Sequence, residues 1–280
     1  MTLVFVGPAI AAFVILKYIP IFQAFFYSFF KYSLVDPPGK FVGLRNYINV
    51  LSSPLFWKEF WNTSVLFGFS MLMGFWVPIV QALLLSQIRK GKNLLRFLYI
   101  LPAGLPSIAG LVLWKFIWNP DGGLANVVTH ALGLGRFNWL GDPKLVKFCL
   151  RFPGLFGGGL GILIYLVAIN NVSMEQYEAA IIDGANAFKR MLHITLPNIW
   201  YIIQIQFVLA LTSSLLPFDD VYVLTQGGPN YSSATLVIGL YEKAFREWNI
   251  GQSMAMSVII FIITLFFMLL RLKKMKSNNV

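Results

Sequence analysis

Five long stretches of this chain contain no Asp, Glu, Lys or Arg: Phe60 to Ile88, Phe97 to Trp114, Phe152 to Met174, Met191 to Phe218 and Trp248 to Leu270. A helix rises 1.5 Å per residue, so each run supplies the roughly 18 to 20 residues needed to cross about 30 Å of hydrocarbon. A sixth stretch, residues 3–30, is interrupted by Lys17, whose long stem can snorkel to a wet surface, and by Pro20, which neighbouring helices can accommodate. A composition of 58% hydrophobic and 12% charged residues is far from a soluble mixture and points the same way. The expectation is an all-α integral membrane protein, a single domain over residues 1–280 with six transmembrane helices near residues 3–30, 61–88, 97–118, 152–172, 198–217 and 250–270.

The uncharged run from Val221 to Tyr241 is different, because Thr225-Gln226-Gly227-Gly228-Pro229-Asn230 lies in its middle. Turn chemistry of that kind would strand backbone groups in lipid, so the run reads as a loop. Six spans put both termini on one side. The basic tail Arg271-Leu272-Lys273-Lys274-Met275-Lys276, with Arg89, Lys90, Lys92, Arg96, Lys189 and Arg190, places that side in the cytoplasm. The opposite face has as many basic residues but over about twice the length, so charge alone decides only moderately.

The net charge of +11 is explained by this topology, and no basic stripe interleaved with aromatics suggests nucleic acid. Cys149 is the only cysteine, which excludes an intrachain disulfide and a multi-thiolate metal site. His130 and His193 are far apart in sequence, and no catalytic or metal-ligating constellation is visible. A basic n-region is missing ahead of the first apolar stretch, so that stretch is expected to remain as an anchor. No span carries a central Asp or Glu for ion coupling, and no GxxxxGK[ST] occurs, so energy must come from a partner.

Residues 173–197 carry the most specific pattern. Tyr177-Glu178-Ala179-Ala180 is followed by Asp183-Gly184-Ala185, then by Ile194 and Leu196-Pro197. The spacing is long and has little slack. It resembles the EAA loop of binding-protein-dependent ABC importers, the cytoplasmic segment through which a permease docks on its ATPase. Phe218-Asp219 with Val223-Leu224-Thr225-Gln226-Gly227-Gly228-Pro229 resembles a segment typical of the carbohydrate-type permeases of that family, close to the maltose and glycerol-phosphate systems. Val42-Gly43-Leu44, Asn46-Tyr47, Asn62-Thr63, Leu101-Pro102, Trp114 to Trp118, Asn119-Pro120, Gly122-Gly123 and Trp139-Leu140 extend the resemblance over most of the chain. Met174 departs from it, standing where the family usually has Pro.

The resemblance implies a permease in the prokaryotic cell membrane, paired with a second permease subunit as a heterodimer over two ATPase subunits. ATP and Mg would sit on the ATPase and no cofactor on this chain, with an extracytoplasmic solute-binding protein outside. It also implies a saccharide as the imported solute. The alternatives are an importer for another solute class and a secondary transporter.

The residues suggest how such a loop works. Ser173 and Gln176 have capping-box spacing, and Glu175 and Glu178 suit a helix start. Ile181, Ala185, Phe188 and Leu192 recur as one apolar stripe if the helix resumes after Gly184, which bends without a Cβ penalty. On the fifth span Gln206, Ala210, Ser213 and Pro217 fall on one face, flanked by Thr212 and Ser214, with Asp219 beyond. These are candidate substrate-path residues, helix packing being the competing reading. Gly154-Gly158 and Gly157-Gly161 repeat the spacing of close helix contact. Pro102 and Pro106 are expected to bend the third span.

Overall fold

A computed structural model describes residues 2–33, 39–88, 90–104, 106–157 and 159–277; Arg89 and Gly158, singled out above, lie outside the described residues. The described chain is helical, with isolated bridges in place of sheet. In chain order the principal helices are α1 (Val6–Tyr27), α2 (Arg45–Leu51), α3 (Pro54–Gln87), α4 (Lys92–Ile100), α5 (Ser107–Ile117) and α6 (Leu124–Ala131). They continue with α7 (Val146–Phe156), α8 (Gly159–Asn170), α9 (Met174–Ile182), α10 (Ala187–Leu215), α11 (Asp219–Leu224), α12 (Leu236–Phe245) and α13 (Ile250–Ser277).

Among the described residues, four of these, α1, α3, α10 and α13, are each long and apolar enough to cross a membrane. The expected fourth span is a pair, α7 and α8, bent by 43°. The expected third span is divided: α4 ends in a 3-10 turn at Leu101–Gly104, and α5 starts anew after Pro106. Proline explains the division, since it removes a backbone donor and disfavours helix in the residue before it. Large side chains cover the outside of the bundle, with Leu72 75%, Phe22 71% and Leu16 69% exposed, which suits contact with lipid or with the apolar surface of another subunit.

Three of the prolines inside long helices each follow a π-turn; Pro8, near the start of α1, stands in regular helix instead. Val14–Tyr18 precedes Pro20, Ser70–Gly74 precedes Pro78 and Met191–Thr195 precedes Pro197. In each turn an amide bonds five residues back: Ile19 to Val14, Phe75 to Ser70, and Leu196 to Met191. A proline ring collides with the carbonyl four residues earlier, and the widened turn moves that carbonyl aside while keeping other donors paired. Pro20 is thus accommodated by its own helix rather than by a neighbour.

The main core joins Phe75, Ile79, Ala82 and Leu85 of α3 to Ile162, Tyr165, Leu166 and Ile169 of α8 and to Ile199 and Ile203 of α10. The recurrence at three and four residues puts each set on one helical face. Lipid is as apolar as these side chains, so close van der Waals fit holds the helices together. The fit is tight where glycine sits: a Cβ on Gly161 would lie 3.3 Å from Pro78 Cβ, and one on Gly154 would lie 3.6 Å from Gly74 Cα.

Two smaller cores hold the other end of the bundle, where Val221, Leu224, Ala234 and Ile238 pack on Leu66, Val146 and Leu150, and Leu236 on Val50, Phe56, Met256 and Ile260. The run Val221 to Tyr241, expected to be a loop, is therefore two short helices around a compact turn buried in protein. Its backbone is satisfied by buried side chains of α3. Asn62 Nδ2 donates to the carbonyls of Tyr231 (2.8 Å) and Ala234 (2.9 Å), and Thr63 Oγ1 accepts from the Leu236 amide (3.0 Å). Thr235 Oγ1 donates to the Pro217 carbonyl at 2.9 Å while accepting from the Ile238 amide.

Replacing Asn62 with Ala strands two buried carbonyls, and the expected loss is about 2 kcal/mol of stability. Unfolding of the purified protein in mixed micelles measures it; an unchanged midpoint would show that water replaces the amide.

Candidate functional site

The EAA segment folds as a helical hairpin. Helix α9 begins at Met174, the first helical position, where a proline is also tolerated. Ser173 sits at the N-cap but its side chain makes no capping bond, so the capping box expected with Gln176 does not form. Gln176 is engaged elsewhere: its Oε1 accepts from Asn198 Nδ2 at 3.0 Å.

The helix stops in a Schellman arrangement. The Gly184 amide donates to the Ile181 carbonyl (3.0 Å) and the Ala185 amide to the Ala180 carbonyl (2.8 Å), with Gly184 at φ +76°. Asn186 then caps α10 by accepting from the Lys189 amide at 2.8 Å. The apolar stripe expected through Gly184 is thus split: Ile181 lies on one arm, and Phe188 and Leu192 on the other.

Two side-chain bonds clamp the hairpin to the start of α10. Tyr177 Oη and Thr195 Oγ1 are 2.9 Å apart, and Asn198 joins Gln176 to the Ile194 carbonyl. Arg190 Nη1 closes the turn on the Ala185 carbonyl at 2.8 Å. Ile194 and Leu196 are half-buried and Pro197 is exposed, at the π-turn that opens the long helix. Glu178, Ala179, Asp183 and Gly184 are exposed and Ala180 and Ala185 half-exposed. Ile182 is 86%, Met174 69% and Phe188 63% exposed, so the hairpin presents large apolar side chains alongside its exposed polar ones. Such a surface fits helix-in-groove docking.

Along the last third of α10, a cavity of about 460 Å³ opens between α3, α8 and α10. Its polar lining is Ser70, Tyr165, Gln206, Ser213 and Ser214, with Gly74, Pro78, Gly161 and Ala210 leaving the room. Every side chain lining it is uncharged. The structure thus brings Gln206, Ala210, Ser213 and Ser214 together. Thr212 does not line this cavity; its hydroxyl donates to the Val208 and Leu209 carbonyls. Pro217 is buried in packing.

Asp219 is exposed in the first turn of α11, away from the cavity, and its neighbour Asp220 is held by Arg151 of α7. Ser70 and Tyr165 were invisible to sequence reasoning, since nothing in an uncharged run shows which polar residues share a face with another helix. Pattern-bearing residues outside the cavity act as structural ties. Asn46 Nδ2 donates to the carbonyls of Ser28 (2.8 Å) and Phe30 (2.9 Å), and Tyr47 Oη meets Ser28 Oγ at 2.7 Å. The Cys149 thiol is buried and donates to the Trp139 carbonyl. No group of three His, Cys, Asp or Glu able to hold a metal occurs among the described residues.

An apolar helical bundle with an exposed hairpin at one end, a small uncharged cavity carrying a few polar groups and a stapled loop layer at the other end has the build of a transport permease. The chain belongs to the family of binding-protein-dependent transport system inner membrane components, whose model matches residues 74–273.

Among similar proteins, the probable ABC transporter permease protein YurN of Bacillus subtilis (strain 168) is 31% identical over 280 residues, covering 98% of this chain and 96% of that protein. The trehalose/maltose transport system permease protein MalF of Thermococcus litoralis is 32% identical over 271 residues, with 95% and 90% covered. The arabinooligosaccharides transport system permease protein AraP of Bacillus subtilis is 30% identical, with 96% and 86% covered. A solved bacterial ABC transporter involved in the import of the acidic polysaccharide alginate superposes with a TM-score of 0.87 over 96% of this chain and 93% of that one, at 23% identity, which shows the fold. The chain is the inner-membrane permease component of an ABC importer, and the ATPase is a separate subunit.

Arg151 is largely enclosed, with Nε and Nη2 unpartnered among the described residues, so Asp220 is its main compensation. Asp220→Asn should cost on the order of 2 kcal/mol, since both side chains keep some contact with water. Adding Arg151→Gln should recover part of that loss in the same unfolding measurement; equal or greater loss in the double variant would show that the pair is not coupled.

Proposed function

We propose that this subunit imports a saccharide, and that α10 couples ATPase closure to access. The carrying observation is that one continuous helix of 29 residues begins at the docking hairpin and carries Gln206, Ser213 and Ser214 along the uncharged cavity. Hydroxyls and a primary amide are the donors and acceptors that sugar hydroxyls need. The names of the trehalose/maltose and arabinooligosaccharide relatives support a carbohydrate.

In this reading Tyr177, Glu178, Ala179, Ala180, Asp183, Gly184 and Ala185 seat in a groove of the ATPase, with Ile194, Leu196 and Pro197 carrying the displacement into α10. A second permease completes a heterodimer, and two ATPase subunits bind ATP and Mg. A solute-binding protein delivers the sugar from outside, and both termini face the cytoplasm. ATPase closure moves the hairpin, α10 follows it, and the cavity exchanges its open side. Gln206, Ser213, Ser214, Ser70 and Tyr165 contact the sugar in passage; Thr212 supports the helix, and Asp219 lies beyond the cavity.

Reconstitution tests this. Alone in vesicles the chain should hydrolyse no ATP and move no solute; with its partner permease and ATPase it should show hydrolysis stimulated by liganded receptor. Uptake by this chain alone, driven by a proton or sodium gradient, would overturn the reading. Ser213→Leu should cut uptake by an order of magnitude or more at unchanged ATPase co-purification, because it fills the cavity; unchanged uptake would make the stripe a packing surface.

Gly184→Asp should leave the protein folded in the membrane, because no heavy atom lies within 4 Å of a Cβ there and Asp is among the residues that best tolerate positive φ. The added carboxylate would instead meet the ATPase, so co-purification and uptake should both be lost. Normal values of both would remove the docking assignment.

A further inference from the structure

A second cavity, also of about 460 Å³ but with charged side chains in its wall, lies at the end of the bundle opposite the hairpin. It is walled by the exit of α1 (Lys31, Tyr32), by α2 (Arg45, Asn49) and by the turn into α13 (Trp248, Gln252). Connectivity fixes the end: α10 leaves the hairpin, and α11, α12 and this turn follow at its far terminus.

The walls are built to hold their shape. The Gly251 amide donates to the Tyr32 carbonyl at 2.9 Å, and a Cβ on Gly251 would lie 2.5 Å from the Phe30 carbonyl oxygen, so α13 and the end of α1 approach as closely as glycine allows. Trp248 is held at φ +56° and is 52% exposed. A bulky side chain in the left-handed region is strained, and strain of this kind collects at binding surfaces.

Charge decides what the pocket fits. Lys31 and Arg45 are exposed, and neither forms an ion pair among the described residues. The lining carboxylate, Glu247, is paired with Lys243 instead, and Asp36 lies outside the described residues. Two cations thus face a concavity that also offers the amides of Asn49 and Gln252. The volume suits a side chain rather than a bare ion, and a guanidinium presents a planar fork to a carboxylate.

We infer that this pocket receives an acidic side chain of the solute-binding protein, and so fixes where the receptor sits on this subunit. The inference rests on the importer reading. Paired cations at a rim steer an acidic partner and set its register, an effect that salt weakens.

The test uses the assembled transporter in vesicles of zwitterionic lipid, with the receptor that co-purifies with the intact complex. Lys31→Glu with Arg45→Glu should raise the receptor concentration for half-maximal ATPase stimulation about ten-fold or more at low salt, with less effect at high salt, and leave the maximal rate in place. Arg45→Lys should show an intermediate shift. An unchanged half-saturating concentration in the double variant would overturn the inference while the wild-type stimulation kept the importer reading intact; absence of stimulation in the wild type would defeat that reading itself. A shift seen only when anionic lipid is present would assign the pocket to a headgroup and also overturn the inference.

Discussion

Hydrocarbon offers no partner to a backbone amide or carbonyl, and this requirement shapes the molecule at every irregular point. The clearest case is the turn between α11 and α12, where Gln226, Asn230 and Tyr231 adopt positive φ and cannot form a helical ladder. Asn62 and Thr63 stand in for that ladder, supplying donors and an acceptor from inside α3. Because they sit on a membrane-crossing helix, the loop layer and the bundle are locked into one unit.

The prolines obey the same requirement by another route. Each π-turn keeps the helix continuous while widening it, and two of the three lie where function concentrates. Ser70–Gly74 lines the cavity, and Met191–Thr195 joins the hairpin to α10. A widened turn is a place where a helix can change direction without losing its hydrogen bonds, so the same device that admits the proline also suits a coupling element.

The hairpin and cavity are joined by α10, and at 1.5 Å per residue its 29 residues extend about 43 Å. Tyr177 and Gln176 grip its first turns through Thr195 and Asn198, so a displacement of the exposed hairpin acts on the helix itself rather than on a flexible linker. At the other terminus Pro217 is tied to Thr235, which connects the lever to the stapled loop layer.

Much of this was legible in the chain alone. Long runs without charge dictate helices because lipid admits little else, and the spacing from Tyr177 to Pro197 identified the hairpin because its glycine and small residues follow each other at fixed intervals. The stripe Gln206, Ala210, Ser213 was readable from helical periodicity, which is local. Tertiary structure decided what periodicity cannot reach. It bent the fourth span and divided the third, and it gave Gln176 to Asn198 instead of Ser173. Ser70 and Tyr165 joined the cavity, Thr212 stayed off it, and Arg151 took Asp220. Each of these depends on which distant group faces a given atom once the helices pack, and a donor with several local options takes the partner that packing leaves within reach.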